Sequence, residues 1–283
     1  MAKIRAIAPG KVREKEEGSM KRLGMVVLGA GLLAARCHAQ DGSAGAPRDP
    51  SCPPALVQSV SEQLKLPGRV GAAAGDDADA SIVVAAACKA SPADRSQTYV
   101  ALAYDAGDQD GKRLVLAIVQ DGRVVADYRG EIYEDATLTV QSDSLHIDTA
   151  PYVLAQGVRA FGLDVSGWAS PHCGDGGEGP TRSLYVREGA HIRRVLADMT
   201  VSSWRYVQEG NDRCNPSAPA DAPTVVENTR YTLSVLPETH HGFHDLQVTA
   251  TATRDDGKPS QDGRHYLLKY DGKRYPVPGA LQG

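Results

Sequence analysis

The chain has 283 residues, of which 41% are hydrophobic and 23% are charged. This composition is ordinary for a soluble globular protein, and it excludes a collagen, a coiled coil, a polytopic membrane protein and a wholly disordered chain. The first 39 residues hold eight of the 31 basic residues and three of the 35 acidic ones, which leaves 23 against 32, or a net charge of about −9, for the rest. A body this acidic lacks the basic surface that phosphate backbones require, so we expect no nucleic-acid partner.

The N-terminal segment predicts export. Residues 20–39 start with the positive Met20-Lys21-Arg22, continue as an apolar run and reach a small-residue cleavage site at Ala39, as a secretory signal peptide does. The apolar run, residues 23–35, is short for a bilayer span, so no transmembrane segment is expected after signal cleavage. Residues 1–19 carry mixed charge without an apolar face, and we interpret them as a misassigned start ahead of Met20, although Met1 stays open. The predicted location is periplasmic or secreted.

The next segments predict a leader and a short helical part. Residues 40–50 are rich in Gly, Ala, Ser and Pro and are interpreted as a flexible leader, with a single β-rich domain over residues 51–283. Between residues 53 and 66, apolar residues recur at helical spacing, and Pro67-Gly68 ends the pattern. The apolar residues 80–88 fit either a second short helix or a buried strand.

From residue 98 onward the pattern is that of β-structure. Asp121-Gly122 between two β-rich runs predicts a tight hairpin. Many short strands with turns between them predict a mainly β fold with stacked antiparallel sheets, either a sandwich or propeller-like, after a short helical N-terminal part. The predicted strands are residues 98–104, 113–119, 123–128, 137–140, 145–148, 158–165, 183–187, 192–196, 201–207, 231–235, 246–253, 265–270 and 274–277.

Four cysteines follow the signal segment, and we expect them to form disulfides. They are Cys52, Cys88, Cys173 and Cys214. An even number in an exported chain favours disulfides, and the absence of C-x-x-C spacing gives no motif for a zinc ribbon or a thioredoxin-like site. Three pairings are possible. We predict Cys52–Cys88 and Cys173–Cys214, because these close loops of moderate size and would each contribute roughly 3–4 kcal/mol.

The histidine-rich segment near the C-terminus is the first candidate metal site. His240, His244 and Asp245 precede a predicted strand, and imidazole with carboxylate suits zinc or nickel. His241 adjoins His240, however, and adjacent side chains on a strand face opposite sides. We therefore favour a polar hairpin loop here and expect no metal. The glycine-rich residues 29–31 imitate a dinucleotide loop, but the helix and the acidic residue that such a loop needs do not follow, so no cofactor is expected.

Acidic clusters give two further candidates. Asp105, Asp108 and Asp110 resemble part of a calcium loop, but Ala106 stands where a ligand belongs and no glutamate follows at the twelfth position, so a solvated hairpin tip is favoured. Paired carboxylates that could act as acid and base on a glycan occur at Glu131, Glu134 and Asp135, where a turn would also need polar residues. No G-x-S-x-G elbow follows the signal segment. Trp168 and Trp204 are interpreted as packing residues rather than a ligand surface.

Several short motifs occur in an order that resembles a family of uncharacterised exported proteins from proteobacteria. The matching segments lie between residues 88 and 277 and are Cys88-Lys89 with Pro92, Asp148-Thr149-Ala150-x-Tyr152, Arg159-Ala160-Phe161-Gly162, Leu184-Tyr185-Val186, Gly242-x-x-Asp245-Leu246 and Tyr270-Asp271-Gly272-x-x-Tyr275-Pro276. The resemblance implies export and carries no known activity. The last two segments are also similar to a single FG-GAP-type propeller blade, in which an Asp-Leu strand is followed by a Tyr-Asp-Gly turn.

These observations favour a non-catalytic function. Export, disulfides and a turn-rich β scaffold are all indicated, whereas no catalytic spacing is convincing. We expect a binding protein of the bacterial envelope, whose partner is an unknown protein or envelope component. The alternatives are an envelope hydrolase that acts on glycan, and an inhibitor of a peptidoglycan hydrolase.

Overall fold

The computed structural model describes residues 52–66, 83–105, 111–134, 138–169, 176–207, 225–260 and 263–282. The described residues all belong to one compact unit, Gly45–Gly283. The predicted signal peptide, the leader and both cysteines of the Cys173–Cys214 bridge lie outside the described residues.

The described part of the chain is mainly β, as the sequence predicts. It contains one α-helix, fifteen strands and a 3₁₀ turn at Gly279–Leu281. The elements are α1 Pro54–Gln63, β1 Val83–Ala90, β2 Gln97–Tyr104, β3 Gly111–Gln120, β4 Arg123–Tyr133, β5 Leu138–Thr139, β6 Leu145–Ala155, β7 Val158–Val165, β8 Trp168–Ala169, β9 Gly176–Glu178, β10 Thr181–Glu188, β11 His191–Thr200, β12 Ser202–Tyr206, β13 Val226–His240, β14 Phe243–Arg254 and β15 His265–Leu268.

Two sheets dominate the architecture. The larger has eight strands in the order β1-β2-β3-β4-β11-β10-β7-β6 and curls like half of a barrel. The smaller has five strands in the order β15-β14-β13-β12-β9, and β5 pairs with β8 in a separate two-stranded piece. Neighbouring strands are antiparallel except for β4 and β11, which run parallel.

Side chains along the central strands alternate strictly between the two faces of the large sheet, so each face has its own core. In β2, Tyr99, Ala101 and Ala103 point to the inside of the curl, while Val100 and Leu102 point outward. The outer face of β1–β3 is covered by α1, and the outer face of β6, β7, β10 and β11 is covered by β14, β15 and the C-terminal segment. Strands buried on both faces read as continuous apolar runs, as in β2 and β3.

The helix forms where its pattern predicts. Proline stands in its first turn, where a backbone N–H would have no helical partner in any case. After the end of the helix, Lys65 adopts a left-handed conformation with φ of 52°. Val57 and Val60 pack against the large sheet. The predicted disulfide between Cys52 and Cys88 is confirmed, and it ties the start of α1 to β1.

The curl brings the first and last strands of the large sheet close together. Lys89 on β1 donates a hydrogen bond from Nζ to the carbonyl oxygen of Ile147 on β6, at 2.7 Å. The two edges are therefore linked by this side chain. No β1–β6 backbone ladder is formed in the described residues.

Two hairpin turns have the backbone conformation that their residue types favour. Both residues of Asp121-Gly122 have positive φ, which is the type I′ geometry that matches the twist of a hairpin, and the prediction there is confirmed. His241-Gly242 forms the same kind of turn between β13 and β14, so residues 240–245 form the hairpin that we favoured.

The structure settles one open choice and overturns one predicted strand. The open choice at residues 80–88 resolves to a strand, β1. The predicted strand over residues 274–277 is wrong, because only Tyr275 there makes a single bridge, to Leu196. Pro276 and Pro278 have no N–H to give to a ladder, so pairing stops after one residue. None of the helices described is long and apolar enough to cross a membrane.

Candidate binding cleft between two diverging strands

The two halves of the large sheet meet at a short seam. His191 on β11 pairs with Asp127 on β4, and the Asp127 N–H donates to the carbonyl of Ala190 at 3.3 Å. This is the only residue pair that joins β4 to β11 in the described part of the chain. Farther along, β11 takes a different neighbour, because the N–H of Tyr275 donates to the carbonyl of Val195 at 2.7 Å.

Bulges bend β11 away from β4. The β10–β11 register slips twice, on both sides of the pairing of Leu184 with Leu196. Asp198 lies in the bulge between Leu196 and Met199 and has a left-handed φ of 49°. Ser183 holds it there, since its Oγ accepts from the Asp198 N–H at 3.1 Å and lies 3.2 Å from Asp198 Oδ1. A bulge that redirects a strand is a common device next to binding sites.

The divergence leaves a cleft with two adjoining chambers. The wide chamber has a volume of about 600 Å³ and the narrow chamber about 310 Å³. Both are lined by Leu114, Glu131, Tyr133 and Arg194. We call the two together the β4/β11 cleft. Their volumes lie within the range of small-ligand sites.

Tyrosines form much of the cleft wall. Tyr128 meets Tyr185 edge to face, with 5.1 Å between ring centres, and Tyr185 stacks on Phe161. Burial raises the pKa of Tyr185, so its hydroxyl stays neutral at physiological pH. The ring of Tyr128 lies over Gly130, where an added Cβ would come within 2.8 Å of it. Tyr133, at the far end of β4, is 75% exposed.

The charged groups of the cleft already have partners, some of them within the cleft and some outside it. Arg113 and Glu131 form an ion pair across β3 and β4. Arg194 Nη1 lies 3.3 Å from Asp198 Oδ2, and Arg129 Nη2 donates to the carbonyl of Leu64 at 2.7 Å. The arrangement presents aromatic faces, hydroxyls and balanced charges, which suits recognition of a polar ligand.

The structure separates two of the three carboxylates that the sequence places together. Glu131 lines the cleft. Glu134 lies elsewhere, because its Oε2 is 2.9 Å from Lys112 Nζ and its Oε1 accepts from the Val140 N–H at 2.6 Å. Asp135 lies outside the described residues. Glu134 therefore links Lys112 to Val140, whereas Glu131 lies in the cleft.

The histidine segment assembles only in part. His240 Nδ1 and Asp245 Oδ1 are 2.7 Å apart, and the Asp245 side chain is buried. The His244 ring instead contacts the carbonyl of Pro237 at 3.2 Å, while the His265 ring bonds to Gln247 and Thr249. The described residues contain no group of three or more His, Cys, Asp or Glu placed to hold a metal ion.

The remaining sequence candidates lie away from the cleft or only partly within the described residues. Asp105 Oδ2 faces Lys112 Nζ at 3.2 Å, and the other acidic residues of the calcium-like segment lie outside the described part. Trp204 packs over Gly177 and meets Tyr206 edge to face, and 36% of its surface is exposed. The side chain of Trp168 is not described.

Sequence reasoning did not single out a polar cluster around Arg182. Its guanidinium binds Asp164 through Nε–Oδ1 at 2.6 Å and Nη2–Oδ2 at 2.7 Å, and its Nη1 lies 2.6 Å from Asp148 Oδ2. Tyr152 donates to Asp148 at 2.6 Å. Burial alone would raise the pKa of Asp148, but Arg182 and the Tyr152 hydroxyl outweigh burial and hold that pKa below its usual range. The only prior signal was the Asp148-x-x-x-Tyr152 spacing.

No protein-family model matches the chain, and no curated protein or solved structure is significantly similar to it. The geometry of the described residues therefore provides the functional argument.

Proposed function

We propose that this protein is an exported, non-catalytic binding protein of the bacterial envelope, and that the β4/β11 cleft is its ligand site. The observation that carries the proposal is the separation of β4 from β11 after a single residue pair, which opens two tyrosine-lined chambers into the curled sheet. Concave sites that combine aromatic walls with a few polar groups are typical of ligand binding.

The state of the charged groups supports binding over catalysis. General acid–base chemistry needs a carboxyl group that is free to exchange a proton with substrate. Glu131 is paired with Arg113, and Asp198 is paired with Arg194 and held by Ser183. A preorganised set of ion pairs orients a ligand without reacting with it.

Export is supported by the N-terminal sequence and by the Cys52–Cys88 bridge. Disulfides persist in oxidising compartments such as the periplasm. The resemblance to exported proteobacterial proteins points to the same compartment. We therefore place the protein in the periplasm or outside the cell, with cleavage at Ala39/Gln40.

The test is site-specific photocrosslinking in cells that export the protein through its own signal. A photoreactive residue is placed at Tyr133, at the cleft, and as a matched control at Leu267, which is 53% exposed on β15 of the small sheet. We expect an envelope component to be joined at Tyr133 and not at Leu267. No adduct at Tyr133, or the same adducts at both positions, would contradict a binding role for the cleft.

A glycan hydrolase is the second candidate, because Glu131, Glu178 and Asp198 line one chamber. Glycosidases use a pair of carboxyl groups that flank the bond they cleave. The purified protein is incubated with peptidoglycan fragments, and soluble products are measured for the parent chain and for Glu131→Gln. A turnover that disappears in this variant while the far-ultraviolet circular dichroism is unchanged would establish the hydrolase and reject the binding proposal.

A further inference from the structure

The charges of the β4/β11 cleft are segregated along its length. Arg113 and Arg129 line only the wide chamber, whereas Glu178 and Asp198 line only the narrow one. The shared residues Glu131 and Arg194 stand between them. The cleft thus contains three guanidinium groups and three carboxylates, and its net charge is zero although one end is positive and the other negative.

The edge of β4 faces the same cleft. The Asp127 N–H points toward β11, since it donates to Ala190. Backbone groups alternate in direction along a strand, so those of Arg129, Glu131 and Tyr133 point the same way. The ladder between β4 and β11 includes Asp127 alone among the described residues, so these three residues present an open β edge to the cleft.

We propose that the β4/β11 cleft binds an extended peptide with both ends free, by adding it as a strand to the edge of β4. The peptide's carboxylate lies in the wide chamber near Arg113 and Arg129, and its ammonium group lies in the narrow chamber near Glu178 and Asp198. This inference rests on the proposed binding function and names its ligand class. Strand addition to an open sheet edge is a recurrent mode of peptide recognition.

The charge order also fixes the direction and length of the peptide. Arg129 is at the wide end of the exposed edge, and Tyr133 reaches the narrow chamber. A peptide with its ammonium group in the narrow chamber therefore runs antiparallel to β4. The edge from Arg129 to Tyr133 spans four residue steps, or about 13 Å, so about five peptide residues fill it.

The ligand for the experiment is a random pentapeptide library with free ends. Matched libraries are acetylated at the N-terminus or amidated at the C-terminus. Peptides that the purified protein retains are identified by mass spectrometry, and the best is titrated in all three forms. Each block removes one charge, and we expect each to weaken binding about fivefold, the effect of one partly exposed ion pair.

Paired substitutions assign each end of the peptide to its chamber. Glu178→Gln with Asp198→Asn should abolish the effect of acetylation and leave that of amidation. Arg113→Gln with Arg129→Gln should do the reverse. Asparagine tolerates the left-handed conformation of residue 198, so this variant keeps its fold. Arg230→Gln, on the exposed face of β13, is the matched control and should alter neither effect.

A backbone measurement tests the mode of binding independently. Hydrogen exchange of the amides of Arg129, Glu131 and Tyr133 should slow when the peptide is bound. Libraries that do not bind, binding that ignores both blocks, or unchanged exchange at these amides would overturn the peptide proposal. If a glycan is joined at Tyr133 while peptides do not bind, the cleft keeps its binding role and only the peptide assignment fails. Without adducts at Tyr133, the binding role fails as well.

Discussion

Arg182 holds Asp164 by two parallel hydrogen bonds, Nε to Oδ1 at 2.6 Å and Nη2 to Oδ2 at 2.7 Å. The same guanidinium reaches Asp148, so one cation on β10 neutralises carboxylates on β7 and β6. All these side chains are largely buried. Bidentate pairing of this kind is specific to arginine, because its planar fork matches the carboxylate.

Replacing Arg182 should destabilise the fold strongly. Arg182→Met leaves Asp148 and Asp164 buried without their cation, which costs about 3–5 kcal/mol in the free energy of unfolding. Urea denaturation measures this loss. Arg254→Met removes a half-buried arginine that pairs with a single carboxylate, Asp256, and it should lower the urea midpoint less than Arg182→Met does. If both variants lose the same free energy of unfolding, the buried cluster contributes no more to stability than the pair of Arg254 and Asp256.

The fold should weaken in alkali. Burial, reinforced by neighbouring charges, raises the pKa values of Tyr152, Tyr185 and Tyr275 above the ordinary tyrosine value. Above about pH 10 the unfolded chain releases these protons while the folded chain keeps them, so the free energy of unfolding falls as pH rises. The contribution is fully present below that pH.

Ultraviolet absorbance at 295 nm checks this directly. In the native protein these tyrosines should ionise only when the protein unfolds, whereas in strong denaturant they should titrate with the others. Tyr152→Phe should reduce the slope of stability against pH between pH 10 and 11. A native titration curve identical to that in denaturant would refute the expectation.

The Cys52–Cys88 bridge should contribute substantially to stability. It joins residues 36 apart, and closing a loop of this size removes about 4 kcal/mol of entropy from the unfolded chain. The variant in which both cysteines are alanine should unfold at lower urea concentration by this amount. Dithiothreitol should lower the urea midpoint of the parent chain by reducing this bridge. The variant lacks the bridge, so its midpoint should not fall for that reason.

His240 and His244 should differ in their effect on stability. His240→Ala removes the imidazole bonded to the buried Asp245 carboxylate, and an unsatisfied buried acceptor costs about 1–3 kcal/mol. His244→Ala removes only an exposed contact with the Pro237 carbonyl. Thermal unfolding of both variants measures the difference, and a larger loss from His244→Ala would contradict the assigned contacts.

Local patterns predicted the elements well. The helix was evident from apolar spacing that ends at Pro67-Gly68, and Asp121-Gly122 predicted its hairpin because few other residue pairs adopt two positive φ values. The pairing of β4 with β11 was not predictable, since it joins residues 64 positions apart through one bridge. The length of β4 was underestimated because Arg129, Gly130 and Glu131 do not alternate with apolar residues.

The cleft was harder to predict than the fold. Glu131 was identified as a candidate, but for acid–base work with Glu134, which the structure places with Lys112. Asp198 and Ser183 gave no signal, because their proximity depends on a bulge between two strands. Gly130 carries no motif either, although it alone leaves room for the ring of Tyr128.

The short seam at Asp127 has a mechanical consequence. Strands β1–β4 form one antiparallel meander, β6, β7, β10 and β11 form another assembly, and a single bridged residue pair joins their backbones. Resistance to twisting along that line comes from side chains that interlock inside the curl, such as Phe161 stacked on Tyr99. The relative orientation of the two halves therefore depends on how the core packs, and trimming an interior ring should change it.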